Sequence, residues 1–130
     1  MDDYVGIPFR AGGRDRDGLD CWGLVRLVYQ EQLGLDLPSY DGIFSGQQDA
    51  EAAGETMARE SRRWQRVQHW EPHDVLLMRV SNAIPTHVGV YLGDGWMLHA
   101  LEGIDSTMER TDSMRWVKRI QGAYRYDGSR

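Results

Sequence analysis

The sequence predicts an α+β fold in which one helix packs on an antiparallel β-sheet. Three observations support this prediction: a length of 130 residues, an amphipathic segment near the start, and a second half made of short runs rich in β-branched and aromatic residues. A chain of this length can bury one hydrophobic core and is too short for two comfortable domains. We therefore expect residues 1–130 to form a single domain.

The first helix is predicted to begin at Cys21 and to end at Leu33. Its apolar residues recur at helical spacing, Asp20 is a suitable N-cap, and Gly34 suits the position just after a helix end. A second, more exposed helix is predicted over Gln47–Arg63, where Ala and Met stand at helical spacing among charged residues.

Short runs after Pro72 predict the strands of the sheet. Gly, Asp and Ser separate these runs, and their β-branched and aromatic residues favour extended backbone. The runs are DVLLMRV (74–80), THVGVYLG (86–93), WMLHA (96–100) and WVKRIQGAYRY (116–126). Residues 64–70 are expected to form one more short extended segment.

Side-chain alternation predicts that two of the four histidines share one face of the sheet. If Gly93–Gly95 form a three-residue loop, His99 falls opposite Gly89 and diagonal to His87, about 7–8 Å away. A two-residue turn at Asp94-Gly95 would instead place His99 on the other face. We predict the three-residue loop, and we expect Gly89 to leave room for an imidazole.

Cys21 is the only cysteine in the chain, so its chemistry has two interpretations. The N–H groups and dipole of a helix start favour a thiolate, and a thiolate beside a held imidazole is the arrangement of cysteine hydrolases. A lone buried cysteine is, however, more often a passive packing residue. A metal site made of Cys21, His87 and His99 would be an unusual ligand set, so no metal or cofactor is expected.

The composition excludes several classes of function. A formal net charge of -5 argues against a protein that neutralises nucleic-acid phosphates. No apolar run approaches the roughly 20 residues that cross a bilayer, so membrane insertion is not expected. The N-terminal stretch MDDYVGIPFR lacks the regions of a secretory signal, which favours synthesis in the cytoplasm, where a lone thiol stays reduced.

Three segments together carry a resemblance to a known family. They are GLDCWGLVRLVY (18–29), EPHDVLLM (71–78) and THVGVYLGDGWMLHA (86–100). In this order they resemble the nucleophile block, the Pro-Gly-Asp-Leu strand and the two-histidine block of the NlpC family of papain-like cell-wall cysteine peptidases. The resemblance implies a papain-like NlpC-type fold with Cys21 as the nucleophile, His87 as the general base and His99 as the residue that orients it. It also implies hydrolysis of peptidoglycan stem peptides, of the γ-D-glutamyl to diaminopimelate type.

Positions around Cys21 depart from the pattern of that family. Phe9 stands where the family usually has a tyrosine near the oxyanion, and Trp22 stands in place of a serine. We expect Phe9, Asp20 and Trp22 to belong to the substrate-binding region. The Cys-Trp-Gly-Leu-Val form resembles the branch found in phage tails, which implies a virion tail or phage-like particle, other tail proteins as partners, and action in the cell-wall space.

Two other functions stay open. The missing hydroxyl of Phe9 favours a catalytically silent structural tail-tip protein, and the same machinery would serve an amidase or acyltransferase on a non-wall substrate. For the peptidase, the carboxylates of a stem peptide favour binding by Arg10, Arg14 or Arg16, because guanidinium groups pair well with carboxylates.

Overall fold

The computed structural model describes residues 2–38, 63–80 and 87–127. One helix packs on an antiparallel sheet, which confirms the predicted α+β fold. After a 3₁₀ turn at Asp2–Tyr4, the elements are β1 (Arg14–Asp15), β2 (Gly18–Leu19), α1 (Cys21–Val28), a π-helical turn (Tyr29–Leu33), β3 (Trp64–Val67), β4 (Val75–Met78), β5 (His87–Gly93), β6 (Trp96–Leu101), β7 (Ile104–Arg110) and β8 (Ile120–Tyr126).

The first helix forms where the sequence predicts it. Asp20 has extended backbone and its side chain accepts a hydrogen bond from the N–H of Gly23 at 2.7 Å, as an N-cap does. The α-helical part ends at Val28, and the last predicted turn is wound as a π-helix that Gly34 closes with φ +66°. The second predicted helix, Gln47–Arg63, lies outside the described residues except for Arg63.

The main sheet has six strands in the order β3-β8-β4-β5-β6-β7, and every pair is antiparallel. The four predicted runs contain β4, β5, β6 and β8, and the short extended segment contains β3. The strand β7 is not predicted by the sequence pattern, because its sequence IDSTMER does not alternate polar and apolar residues and only Ser106 in it is buried. This edge strand forms by pairing with β6.

Two apolar layers cover the two faces of the sheet. The layer under α1 contains Cys21 and helix residues such as Val25, together with sheet residues such as Val88 and Val90. The other layer is made of Leu76, Met78, Met97, Trp116 and Ala123. The rings of His87 and His99 contact Trp116 of this second layer. Within the described residues, no helix is long and apolar enough to cross a membrane.

Candidate active site

The β5–β6 turn places His99 on the same face as His87. Asp94 and Gly95 form a two-residue turn with φ values of +53° and +86°, and Gly93 pairs with Trp96. The predicted three-residue loop is therefore wrong. The consequence drawn from it is nevertheless correct, because the register shifts between Tyr91 and Gly93. This bulge restores the pairing that the longer loop would have given.

The two imidazoles are in direct hydrogen-bond contact. Nε2 of His87 lies 2.8 Å from Nδ1 of His99, and the ring centroids are 5.1 Å apart. Gly89 allows this approach, since a Cβ at that position would lie 3.1 Å from Cβ of His99 and 3.0 Å from the carbonyl oxygen of Leu98. The predicted role of Gly89 in making room is thus confirmed.

Glu109 extends this chain of contacts, and the sequence analysis missed it. Its Oε2 lies 2.6 Å from Nε2 of His99. Glu109 pairs with Met97 in the β6–β7 ladder and is diagonal to His99 on the same face. The signal that could have revealed it is the Glu102-Gly103 pair, which forms the turn between the two strands, with φ +85° at Gly103.

Trp116, in the segment between β7 and β8, covers both histidine rings. It is fully buried, and its ring lies 6.0 Å from that of His87 in a stacked arrangement and 5.1 Å from that of His99 edge-on. The guanidinium of Arg115 lies 5.0 Å from the Trp116 ring and 4.0 Å from Oε1 of Glu109. Both histidine rings are therefore buried, at 3% and 1% exposure, and one cation lies at their border.

Burial keeps both imidazoles neutral. It lowers the pKa of His87 well below the usual value, and the neighbouring His99 and Arg115 lower that pKa further. Burial also lowers the pKa of His99, although the hydrogen bond and the charge of Glu109 act in the opposite direction. A neutral imidazole can accept a proton, which is the state a general base requires.

Cys21 is the first residue of α1, and 5% of it is exposed. The backbone N–H groups of Val88, the residue after His87, and of Trp22 act on the sulfur and lower the pKa of the thiol. Burial is the largest cause that raises the thiol pKa, and the charge of Asp20 also raises it, whereas both N–H groups and Arg14 lower it; the net value is about 12. The backbone N–H groups act in the predicted direction, toward a thiolate, but burial is the larger influence and raises the pKa of the thiol.

Asp20 and Trp22 are structural in the described residues. Asp20 is fully buried, and it accepts hydrogen bonds from Arg14 at 2.6 Å, Gly23 N at 2.7 Å and Gly12 N at 3.1 Å. Trp22 is also fully buried, and its Nε1 donates to the carbonyl oxygen of Pro38 at 2.9 Å. Neither side chain is exposed among the described residues, and their place in the substrate-binding region stays a prediction.

The remaining predicted binding residues lie around β1 and β2. Phe9 is half-buried and packs against the apolar layer that contains Cys21, and its role toward a substrate stays a prediction. Arg14 is paired with Asp20, and Arg16 with Glu31 at 2.7 Å. Arg10 and Arg16 are exposed and Arg14 is half-buried, and the role of all three toward a substrate stays a prediction. Among the described residues, no group of three His, Cys, Asp or Glu side chains is arranged to hold a metal ion.

Comparison with known proteins identifies the family. The model of the NlpC/P60 family matches residues 6–125. The chain belongs to the NlpC/P60 family. The NlpC/p60 domain of the peptidoglycan hydrolase SagA has the same fold, with a TM-score of 0.65 and 25% sequence identity over 95% of this chain and 91% of that one. An NlpC/P60 family protein from Bacillus cereus gives a TM-score of 0.70 at 22% identity, over 96% of this chain and 37% of that one.

Curated NlpC/P60 relatives are longer than this chain. The murein DD-endopeptidase MepS/murein LD-carboxypeptidase of Escherichia coli K12 is 28% identical over 95% of this chain and 57% of its own length. The gamma-DL-glutamyl hydrolase of Bacillus subtilis is 32% identical over 95% of this chain and 27% of its own length. The chain thus spans about half or less of these two relatives.

Proposed function

We propose that this chain is a cysteine peptidase that hydrolyses peptide bonds in the stem peptides of bacterial peptidoglycan. The single observation that carries this proposal is the His87–His99 pair, joined at 2.8 Å, in which His87 directly precedes Val88, whose backbone N–H lowers the pKa of the Cys21 thiol. Membership of the NlpC/P60 family supports it. The names of the Escherichia coli and Bacillus subtilis relatives favour a murein peptide or a γ-glutamyl bond as the target.

The proposed reaction begins when Sγ of Cys21 attacks the carbonyl carbon of the scissile bond. Nε2 of His87 faces His99, so Nδ1 is the nitrogen left to take the thiol proton and to pass it to the leaving amine. The C–N bond breaks and an acyl thioester remains. Water then attacks the thioester, His87 accepts its proton and returns it to the sulfur, and a free carboxylate leaves.

The charge that develops on the carbonyl oxygen needs a hydrogen-bond donor. The backbone N–H of Cys21 stands at the first position of α1, where N–H groups have no acceptor within the helix. It is the donor we propose. Phe9 cannot add a second donor from its side chain, so we expect slower turnover than in a relative with tyrosine at that position.

A more specific proposal concerns the bond and the setting. We propose cleavage of the γ-D-glutamyl to diaminopimelate bond, and a place in a phage tail or phage-like particle, where the chain would contact other tail proteins. The bond is favoured by the name of the Bacillus subtilis relative. The setting is favoured by the Cys-Trp-Gly-Leu-Val form of residues 21–25.

A second candidate is a structural tail-tip protein of the same fold that does not hydrolyse anything. Two observations favour it: Cys21 is 5% exposed with its pKa raised to about 12 by burial, and Phe9 lacks a hydroxyl. The two candidates differ in one measurable property, which is the release of peptide fragments.

Digestion of purified sacculi tests these alternatives. The wild type should release muropeptides whose mass spectra identify the bond that is cut, whereas Cys21→Ala and His87→Ala should release none. His69→Ala, which changes an exposed histidine, is the matched control and should digest like the wild type. Equal release by Cys21→Ala and wild type would exclude the cysteine mechanism, and no release by the wild type would favour the structural candidate.

A further inference from the structure

Glu109 is the last member of a chain of side-chain hydrogen bonds that runs from His87 through His99. Its Oε2 lies 2.6 Å from Nε2 of His99, whose Nδ1 lies 2.8 Å from Nε2 of His87. We propose that Glu109 is a positioning residue that fixes the tautomers of both histidines and thereby leaves Nδ1 of His87 free to accept the Cys21 proton. This inference rests on the proposed peptidase function.

Proton counting gives the tautomers. An ionised carboxylate only accepts hydrogen bonds, so Nε2 of His99 must carry the proton that it shares with Glu109. A neutral imidazole carries one N–H, so Nδ1 of His99 is an acceptor and Nε2 of His87 donates to it. His87 then has no proton on Nδ1. If a hydrogen-bond donor replaced the carboxylate, Nε2 of His99 would accept, Nδ1 of His99 would carry the proton, and Nε2 of His87 would accept from it. The proton of His87 would then be on Nδ1.

The same contacts place a negative charge where the reaction needs one. When His87 takes the thiol proton it becomes positive, and His99 links it by hydrogen bonds to Glu109. Three charged or titratable groups face His99: His87 from β5, Glu109 from β7, and Arg115 from the segment before β8. Arg115 disfavours the positive charge on either ring. On the side of Cys21 stand Asp20 and Arg14.

Glu109 is the carboxylate bonded to this pair in the described part of the chain. Its side chain is 25% exposed, and Arg115 lies 4.0 Å from its other oxygen. A purely structural role would make Glu109 matter for stability alone. A positioning role predicts an additional change in which ring nitrogens are protonated.

The first experiment measures the tautomers by ¹⁵N NMR of the full chain with labelled imidazoles at neutral pH. In the wild type, His87 and His99 should both carry the proton on Nε2. Glu109→Gln offers an amide N–H as well as a carbonyl, so protons should appear on Nδ1. Glu102→Gln, an exposed change in the β6–β7 turn, is the matched control and should leave both tautomers unchanged. A proton on Nδ1 of either ring in the wild type would overturn the proposal without any variant having to fold.

The second experiment measures muropeptide release against pH with the same proteins. Glu109→Gln should slow the maximal rate about 10- to 100-fold, the loss found when the outer hydrogen-bond partner of a metal-binding histidine is removed. Glu109→Asp, which keeps the charge, should recover part of this loss. Equal rates and equal pH profiles for Glu109→Gln and Glu102→Gln would refute the role of Glu109 while leaving the peptidase intact. A wild type that releases nothing but shows the expected tautomers would refute the peptidase and not the placement of protons by Glu109.

Discussion

Acid should destabilise this protein through its two buried imidazoles. Burial lowers the pKa of His87 and of His99 in the folded chain below the ordinary 6.5, whereas in the unfolded chain both return to about that value. The unfolded state therefore binds more protons below pH 6.5, and the free energy of unfolding rises with pH. The stabilisation is complete above the unfolded pKa and is lost as the pH falls toward the folded values.

The size of the effect follows from this difference. Consider an imidazole that titrates at 6.5 in the unfolded chain and stays neutral in the folded chain. At pH 5.5 it lowers the free energy of unfolding by RT ln(1 + 10), or about 1.4 kcal/mol, relative to high pH. Two such rings set an upper limit of about 2.8 kcal/mol. His87 should come closer to the full value, because both of its charged or titratable neighbours lower its pKa, whereas Glu109 raises that of His99. A typical domain has only about 5–15 kcal/mol in total.

Urea unfolding at pH 8.0 and pH 5.5, at fixed ionic strength, measures this loss. Tryptophan fluorescence reports on the core, since Trp22, Trp64 and Trp116 are buried. His87→Gln should reduce the difference between the free energies of unfolding at pH 8.0 and pH 5.5 by about 1.4 kcal/mol, whatever the variant's stability at pH 8.0. His69→Gln, an exposed change, should keep the wild-type dependence. Identical pH dependence in His87→Gln and the wild type would refute the assignment of the acid sensitivity to the buried pair.

Two further changes test the packing that positions the site. Asp20→Ala removes the N-cap and the partner of Arg14, so the free energy of unfolding should fall by about 3 kcal/mol, between the cost of a lost cap and that of a broken buried ion pair. The exposed Asp17→Ala should change it by less than about 0.5 kcal/mol, and equal losses would contradict the network seen around Asp20. Gly89→Ala puts a Cβ 3.0 Å from a neighbouring carbonyl oxygen and should cost about 1–3 kcal/mol while displacing His99. A wild-type melt with an unchanged His99 ¹⁵N spectrum would refute the role of Gly89.

The helix that bears Cys21 could be predicted because its local signals agree. Asp20 caps it, Gly34 ends it with a positive φ, and its apolar face matches the sheet. The π-helical winding of Tyr29–Leu33 has no comparable signal. Tyr29 contacts His73 through its hydroxyl and the carbonyl oxygen of that residue, a tertiary contact that spacing along the chain cannot express.

The hairpin shows how a correct conclusion can follow from an incorrect loop. The face of the sheet on which His99 lies depends on how many residues separate it from its partner strand along the hairpin, and a bulge adds one residue to one strand. The bulge at Leu92 therefore has the same effect on His99 as a third loop residue would have. Glu109 was missed for a different reason. An edge strand with one buried residue does not need alternating polar and apolar residues, so the sequence pattern does not predict β7.

The activation of Cys21 is the point at which local and tertiary effects oppose each other. The dipole and N–H groups of a helix start favour an anion by about 0.3–1 kcal/mol. Burial raises the thiol pKa from 9.0 to about 12, which is on the order of 4 kcal/mol against the thiolate. Burial is the largest cause of the raised pKa, so this closed arrangement favours the neutral thiol over the thiolate. In the proposed reaction the thiol loses its proton during the attack, and Nδ1 of His87 is the nitrogen that we propose to take it, because Nε2 faces His99. The orientation of that ring, which the contacts through His99 to Glu109 maintain, thus matters more to the proposed chemistry than the helix start does.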